Sequence, residues 1–219
     1  MHFHDRFDAG RQLAAKLVAF GNDPNLLILA LPRGGVPVAF EIARSLRAPL
    51  DVWVVRKIGA PQIPEFALGA IAPGGIEMID PVSARQMRTT PEQIRAIVDR
   101  ERSELERREA AYRGSRPHLD VTGKTVIVVD DGLATGSTMR AAVAALRQRG
   151  PARVVVAAPV AARQVCARLA DEADEVVCLW TPPDLESVGQ WYDDFSQTSD
   201  EEVCELLNRA AQSAAARTA

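Results

Sequence analysis

Five short apolar runs limit what this chain can become. Leu26–Leu31, Leu50–Val55, Thr125–Val129, Arg153–Ala158 and Glu175–Trp180 are rich in Val, Ile and Leu. Most lack the polar alternation of a strand with one wet face, so they need cover on both sides. The cover is written between them. Val36–Leu46 places Val36, Ala39, Phe40, Ala43 and Leu46 on one side of a helix. Ser137–Arg149 repeats this with Met139, Ala142, Val143, Ala145 and Leu146 before stopping at Gly150-Pro151. Val160–Ala170 supplies a third helix, Asp8–Phe20 opens the set, and about Asp200–Ala215 closes it. Strands alternating with helices predict βαβ units: an α/β fold with a parallel sheet flanked by helices. The 219 residues are ample for one such domain.

Two segments break the rhythm. Arg56–Asp80 carries prolines 61, 64 and 73 and glycines 59, 69, 74 and 75, too many for a helix or an ordinary strand. Its second half, Ala67–Ile79, predicts a hairpin turning at Pro73-Gly74-Gly75. Next, Thr90-Pro91-Glu92-Gln93 is a capping box with proline at the first helical position. It opens a charged helix to about Tyr112 with a thin stripe of Ile94, Ile97, Val98, Leu105 and Tyr112. The charge run reads as a solvated face, with partner contact along the stripe as the alternative.

Charge and composition narrow the classes. There are 26 Lys+Arg against 29 Asp+Glu, a net charge of -3, so no broad basic surface serves nucleic acid. No apolar run reaches the roughly 18 residues of a membrane span. The polar opening MHFHDRFDAGRQL is not a secretory signal, and a soluble cytoplasmic protein is expected. Cys166, Cys178 and Cys204 are widely spaced without CxxC and read as buried or idle thiols. His2, His4 and His118 lack metal-ligand spacing, the first two in a terminus expected to fray, so no protein-held metal is expected. There is no Gly-x-Ser-x-Gly elbow for hydrolase chemistry.

The chemistry concentrates in Val126-Ile-Val-Val-Asp-Asp-Gly-Leu-Ala-Thr-Gly-Ser-Thr138. A strand ends in an acidic pair, a loop of small and hydroxyl residues follows, and a helix begins. Backbone N–H groups of Ala134–Thr138 at a helix N-terminus form an anion cradle. Thr135, Ser137 and Thr138 add hydroxyls, and Gly136 permits close approach by a phosphate. At about 1.5–3 kcal/mol per charge-assisted hydrogen bond, four or five would hold a phosphate monoester. Asp130 and Asp131 would repel that phosphate unless they address something else: vicinal sugar hydroxyls, or the outer coordination of a divalent cation. A phosphorylated sugar satisfies both halves. The common nucleotide loops GxxxxGK[ST] and GxGxxG are absent.

This segment resembles the phosphoribosyl-pyrophosphate motif of the type I phosphoribosyltransferases, and Asp130–Thr138 is closest to the form in adenine phosphoribosyltransferases. The resemblance implies that Asp130 and Asp131 bind the ribose 2- and 3-hydroxyls and that the following loop, Ala134–Thr138, holds the 5-phosphate. Leu26–Leu31 leads into Pro32-Arg33-Gly34-Gly35, a second Gly-rich loop before a helix, where Arg33 could pair with an anion. Its position resembles the family's pyrophosphate loop. Arg56 and Lys57 leave the second strand as adjacent cations. They read as solvated charges or, by resemblance, as pyrophosphate-facing residues before a mobile loop, within an insertion spanning 56–113. Residues 181–199 resemble the family's hood, where Trp191 in the cluster Trp191-Tyr192-Asp193-Asp194-Phe195 would stack on a planar base or plug a loop.

The implied reaction moves the 5-phosphoribosyl group from phosphoribosyl pyrophosphate to a nitrogen acceptor, a nucleobase in a salvage setting, releasing pyrophosphate. Mg²⁺ is the implied cofactor, held mainly by substrate oxygens, and a homodimer the implied assembly. Hypoxanthine–guanine members carry an aspartate where this chain has Ala134, whereas adenine members take a glutamate from the mobile loop. Glu65 is the single carboxylate of Arg56–Gly75 and the matching candidate for moving the acceptor's proton. The competing reading is a non-catalytic sensor of phosphoribosyl pyrophosphate using the same cradle.

Overall fold

A computed structural model describes residues 2–64, 66–114, 116–117 and 120–215. In chain order the elements are α1 (Arg6–Lys16), β1 (Leu26–Ala30), α2 (Gly35–Leu46), β2 (Leu50–Val52), β3 (Arg56–Gly59), β4 (Ala67–Ala72), β5 (Ile76–Ile79), α3 (Pro81–Gln86), α4 (Pro91–Arg113), β6 (Thr125–Val129), α5 (Ser137–Arg147), β7 (Arg153–Val160), α6 (Arg163–Ala170), β8 (Glu175–Trp180) and α7 (Asp200–Ala215). The five predicted strands form one parallel sheet in the order β2-β1-β6-β7-β8. Alternation along β1 shows why the runs are apolar throughout. Leu26, Ile28 and Ala30 pack with α1, α2 and α7, whereas Leu27 and Leu29 face the layer of α5 and α6.

Three features depart from the sequence expectation. Arg56–Gly59 is a strand, although its composition predicts none: β3 pairs antiparallel with β4, and β4 with β5, in a small second sheet. Prolines 61, 64 and 73 and glycines 74 and 75 fall outside the ladder and Gly59 at its irregular end, whereas Gly69 sits within it, paired with Ile58 and Ile79. The short helix α3 was not anticipated; Asp80 caps it through the Val82 and Ser83 N–H groups. β7 runs on to Val160, which pairs with Trp180, so α6 begins at Arg163 rather than at Val160.

The charged helix α4 starts with the predicted capping box. Its stripe residues Ile97, Val98, Leu105 and Tyr112 are buried in the same core as Ile28 and Leu13, so the stripe belongs to this domain rather than to a partner. At the helix end, Arg113 is buried and donates to Asp51 Oδ2 (2.6 Å) and to the Val52 carbonyl (2.8 Å), fastening α4 to β2. The amino terminus is also fastened. Phe3 is fully buried and bridges to Tyr192, its N–H donating to the Trp191 carbonyl at 2.9 Å. The fraying expected there is replaced by packing of Phe3 on Tyr192 (centroids 5.4 Å apart). Among the described residues no helix is long and apolar enough to cross a membrane.

Candidate active site

Because β1 and β6 are parallel neighbours, the loops leaving their carboxyl ends emerge side by side, where ligands bind in open α/β sheets. Glycine makes the meeting possible. A Cβ on Gly35 would lie 2.6 Å from the Val129 carbonyl oxygen, and one on Gly34 would collide with the Asp131 carboxylate. The Pro32–Arg33 peptide in this loop is cis.

The β6 loop and the α5 N-terminus enclose a cavity of about 200 Å³ lined by Asp130, Ala134, Thr135, Gly136, Ser137 and Thr138, with Val188 entering from the segment after β8. First-turn N–H groups of α5 have no helical acceptor and are available to an anion. Gly136 has φ +70°, and the space its side chain would take is filled by Val165 of α6. Glycine is therefore required here by backbone and packing, beyond any need for ligand approach.

The structure separates the acidic pair. Asp130 lines the cavity, and its Oδ1 accepts from the Asp131 N–H at 2.9 Å. Asp131 turns Oδ2 toward Arg6 of α1, whose Nε donates at 2.8 Å. Burial, with the Asp131 carboxylate beside it, pushes Asp130 well above the usual carboxylate range. Burial raises Asp131 as well, and the Arg6 guanidinium opposes the rise.

Beside this cavity lies an open cleft of about 750 Å³, and Thr138 lines both. Arg56 and Lys57 of β3 line the cleft with Pro32, while Gln93, Ile97, Arg100, Glu101 and Arg108 of α4 build the opposite wall. Arg56 does not stand alone: its guanidinium donates twice to Glu101 Oε2, at 2.9 and 2.6 Å. Arg33 sits at the loop as expected, with its guanidinium 3.8 Å from Asp200 at the head of α7. Trp191 stands apart from both cavities and stacks on His2, centroids 6.3 Å apart. The expected covering loop shrinks to the β3–β4 connection, whose Pro61 and Pro64 line the cleft. Glu65 lies outside the described residues.

Sequence reasoning missed four contributors. Val188 lies in the hood-like stretch and the α4 wall in the charged helix, and in neither do the residues mark a lining role. Tyr192 belonged to a flagged aromatic cluster, yet it acts through its hydroxyl, which donates to the Asp131 carbonyl at 2.6 Å. Arg6 lies 125 positions from its partner, and nothing local marks it. Cys166 and Cys178, twelve positions apart, are free thiols, half-buried and 3.5 Å from each other.

Comparison with known proteins accords with this fold. A family model described as the phosphoribosyl transferase domain matches residues 2–190. A Mycobacterium tuberculosis protein, provisionally named a phosphoribosyl transferase, is 46% identical over 208 residues, 95% of this chain. The chain spans 47% of that relative's length. The crystal structure of a Thermus thermophilus protein superposes with a TM-score of 0.86 at 44% identity, covering 95% of this chain and 99% of that one. The chain belongs to the phosphoribosyl transferase family.

Proposed function

We propose that this chain transfers the 5-phosphoribosyl group of phosphoribosyl pyrophosphate to a nitrogen of a nucleobase-like acceptor and releases pyrophosphate. One observation carries the reading: a neutral N–H and hydroxyl cradle and a cation-lined cleft share Thr138, with a carboxylate, Asp130, at the strand end between the two loops. That spacing of donors, acid and cations suits a sugar bearing a phosphate at one end and a pyrophosphate at the other.

In this reading Ala134–Thr138 bind the 5-phosphate, the Asp130-Asp131 pair takes the ribose hydroxyls, and the Gly34-Gly35 backbone with Arg33 receives the pyrophosphate. Arg56 and Lys57 offset the charge that builds on the departing oxygen as the ribose C1–O bond breaks. Arg33 exchanges Asp200 for the ligand, and Arg56 keeps Glu101 as a tether that fixes its position. The acceptor nitrogen forms the new bond to C1, and its proton passes to Glu65, since Ala134 offers the cradle no base.

A magnesium ion fits as a companion of the substrate rather than as a resident of the protein. Among the described residues no group of three His, Cys, Asp or Glu side chains could hold a metal, and the phosphate cavity has one carboxylate, Asp130. Phosphate and water oxygens would complete its shell, and when bound it would neutralise the leaving pyrophosphate.

The test is turnover on a nucleobase panel, followed as pyrophosphate release with phosphoribosyl pyrophosphate and Mg²⁺. Thr138→Val should weaken phosphoribosyl pyrophosphate binding by about tenfold, whereas Glu65→Gln should cut turnover about a hundredfold and spare that affinity. Tight binding without turnover on any acceptor would favour the sensor reading, and absence of both would end the proposal.

A further inference from the structure

We propose that Arg6 is a positioning residue for sugar recognition: by engaging Asp131 Oδ2 it fixes that carboxylate and leaves the other oxygen for the ribose. The inference rests on the assignment of the acidic pair to the ribose hydroxyls given above. Arg6 comes from the first turn of α1 and is held by several groups. Nε donates to Asp131 Oδ2 at 2.8 Å, and Nη1 donates to the Ser196 carbonyl at 2.7 Å. The guanidinium lies over the Phe195 ring, its carbon 3.9 Å from the centroid. Only 11% of the side chain is exposed. Tyr192 closes the arrangement from the other side by donating to the Asp131 carbonyl.

A stability role alone does not account for this. Apolar packing of the same volume generally serves a fold at least as well as a buried ion pair. Here the pair stands at a point where the two ligand loops touch, since Gly34 packs directly on the Asp131 carboxylate. Arg6 also offsets the repulsion between Asp130 and Asp131, which share the strand end, while Asp194 and Tyr192 are the titratable groups facing it from the segment after β8. A planar fork can hold the acid and the Ser196 carbonyl at once, and so ties α1 and the segment after β8 to the sugar end of the site.

Two probes separate this role from general damage: ribose 5-phosphate, which needs the acidic pair, and inorganic pyrophosphate, which does not. Calorimetry on the full chain should show both binding to the wild type. Arg6→Gln should weaken ribose 5-phosphate about tenfold or more and leave pyrophosphate within about twofold, with Arg6→Lys recovering part of the loss. Because Arg6 acts through Asp131, adding Arg6→Gln to Asp131→Asn should cost nothing further in ribose 5-phosphate affinity. That comparison decides the matter if Arg6→Gln alone does not fold, as the neutral pair leaves no orphaned charge. Unchanged ribose 5-phosphate binding, equal loss of both probes, or a double variant weaker than Asp131→Asn would overturn the inference. A wild type that binds neither probe would instead sink the assignment of the site, and this inference with it.

Discussion

Gly35→Ala is the sharpest test of how the two loops are built together. The new methyl carbon would lie 2.6 Å from the Val129 carbonyl oxygen and 3.0 Å from Asp130 Cα, both backbone atoms. Ordinary contact begins near 3.4 Å, so α2 and the end of β6 must part by roughly 0.8 Å. The same carbonyl accepts the Leu31 N–H at 2.8 Å, the last bond holding β1's exit against β6. Losing that bond costs about 0.5–1.5 kcal/mol and the overpacking about 1–3 kcal/mol, together about 1.5–4.5 kcal/mol. For a domain of this size that lowers Tm by about 3–18 °C. The control is Gly75→Ala, where φ is +79° and nothing lies within 4 Å. It carries only left-handed backbone strain, about 1–2 kcal/mol. Scanning calorimetry should therefore rank Gly35→Ala below Gly75→Ala. Since both loops shift, ribose 5-phosphate and pyrophosphate should weaken together, unlike the selective loss expected at Arg6. A Gly35→Ala protein that melts at or above Gly75→Ala would refute the close-approach argument.

Two further outcomes follow from ionisation. Asp130 is pushed well above its ordinary range by burial and by Asp131, so its folded form binds a proton that the unfolded chain releases near pH 3.8. Its contribution is thus fully present below that pH and lost as pH rises through the folded value. Asp130→Asn should stabilise the protein at neutral pH while weakening ribose 5-phosphate, and the stability gap should close on acidification; a gap constant with pH in denaturant titrations would contradict this. Hydrogen bonding with Cys178 draws the Cys166 thiol down to about 7, while Cys178 is pushed up by that same contact and by burial. Iodoacetamide should therefore modify Cys166 with a midpoint near pH 7 and spare Cys178; a Cys166 midpoint near that of a free thiol, or preferential labelling of Cys178, would refute the pairing.

Local pattern was enough for the parallel sheet, its covering helices and the strand–loop–helix segment whose residues line the smaller cavity. Uninterrupted Val-Ile-Leu runs have one physical solution, burial on both faces, and Val126–Thr138 carries its strand, acids, loop and helix start within thirteen consecutive residues. The capping box of α4 was legible for the same reason: its donors and acceptors are three residues apart. Arg56–Gly59 was not legible as a strand, because its pairing with Ile71, Ala70 and Gly69 is set by a partner that composition does not reveal. Tertiary structure alone decided which charges meet. Arg6 reaches Asp131 across 125 positions, Arg56 reaches Glu101 across 45, and Arg113 reaches Asp51 across 62. It alone divided Asp130 from Asp131, set Val165 beneath Gly136, and brought Cys166 to Cys178. Local pattern records what a segment must bury or cap; the partner of a long charged side chain depends on where the sheet order places distant segments, and adjacent residues carry no trace of that.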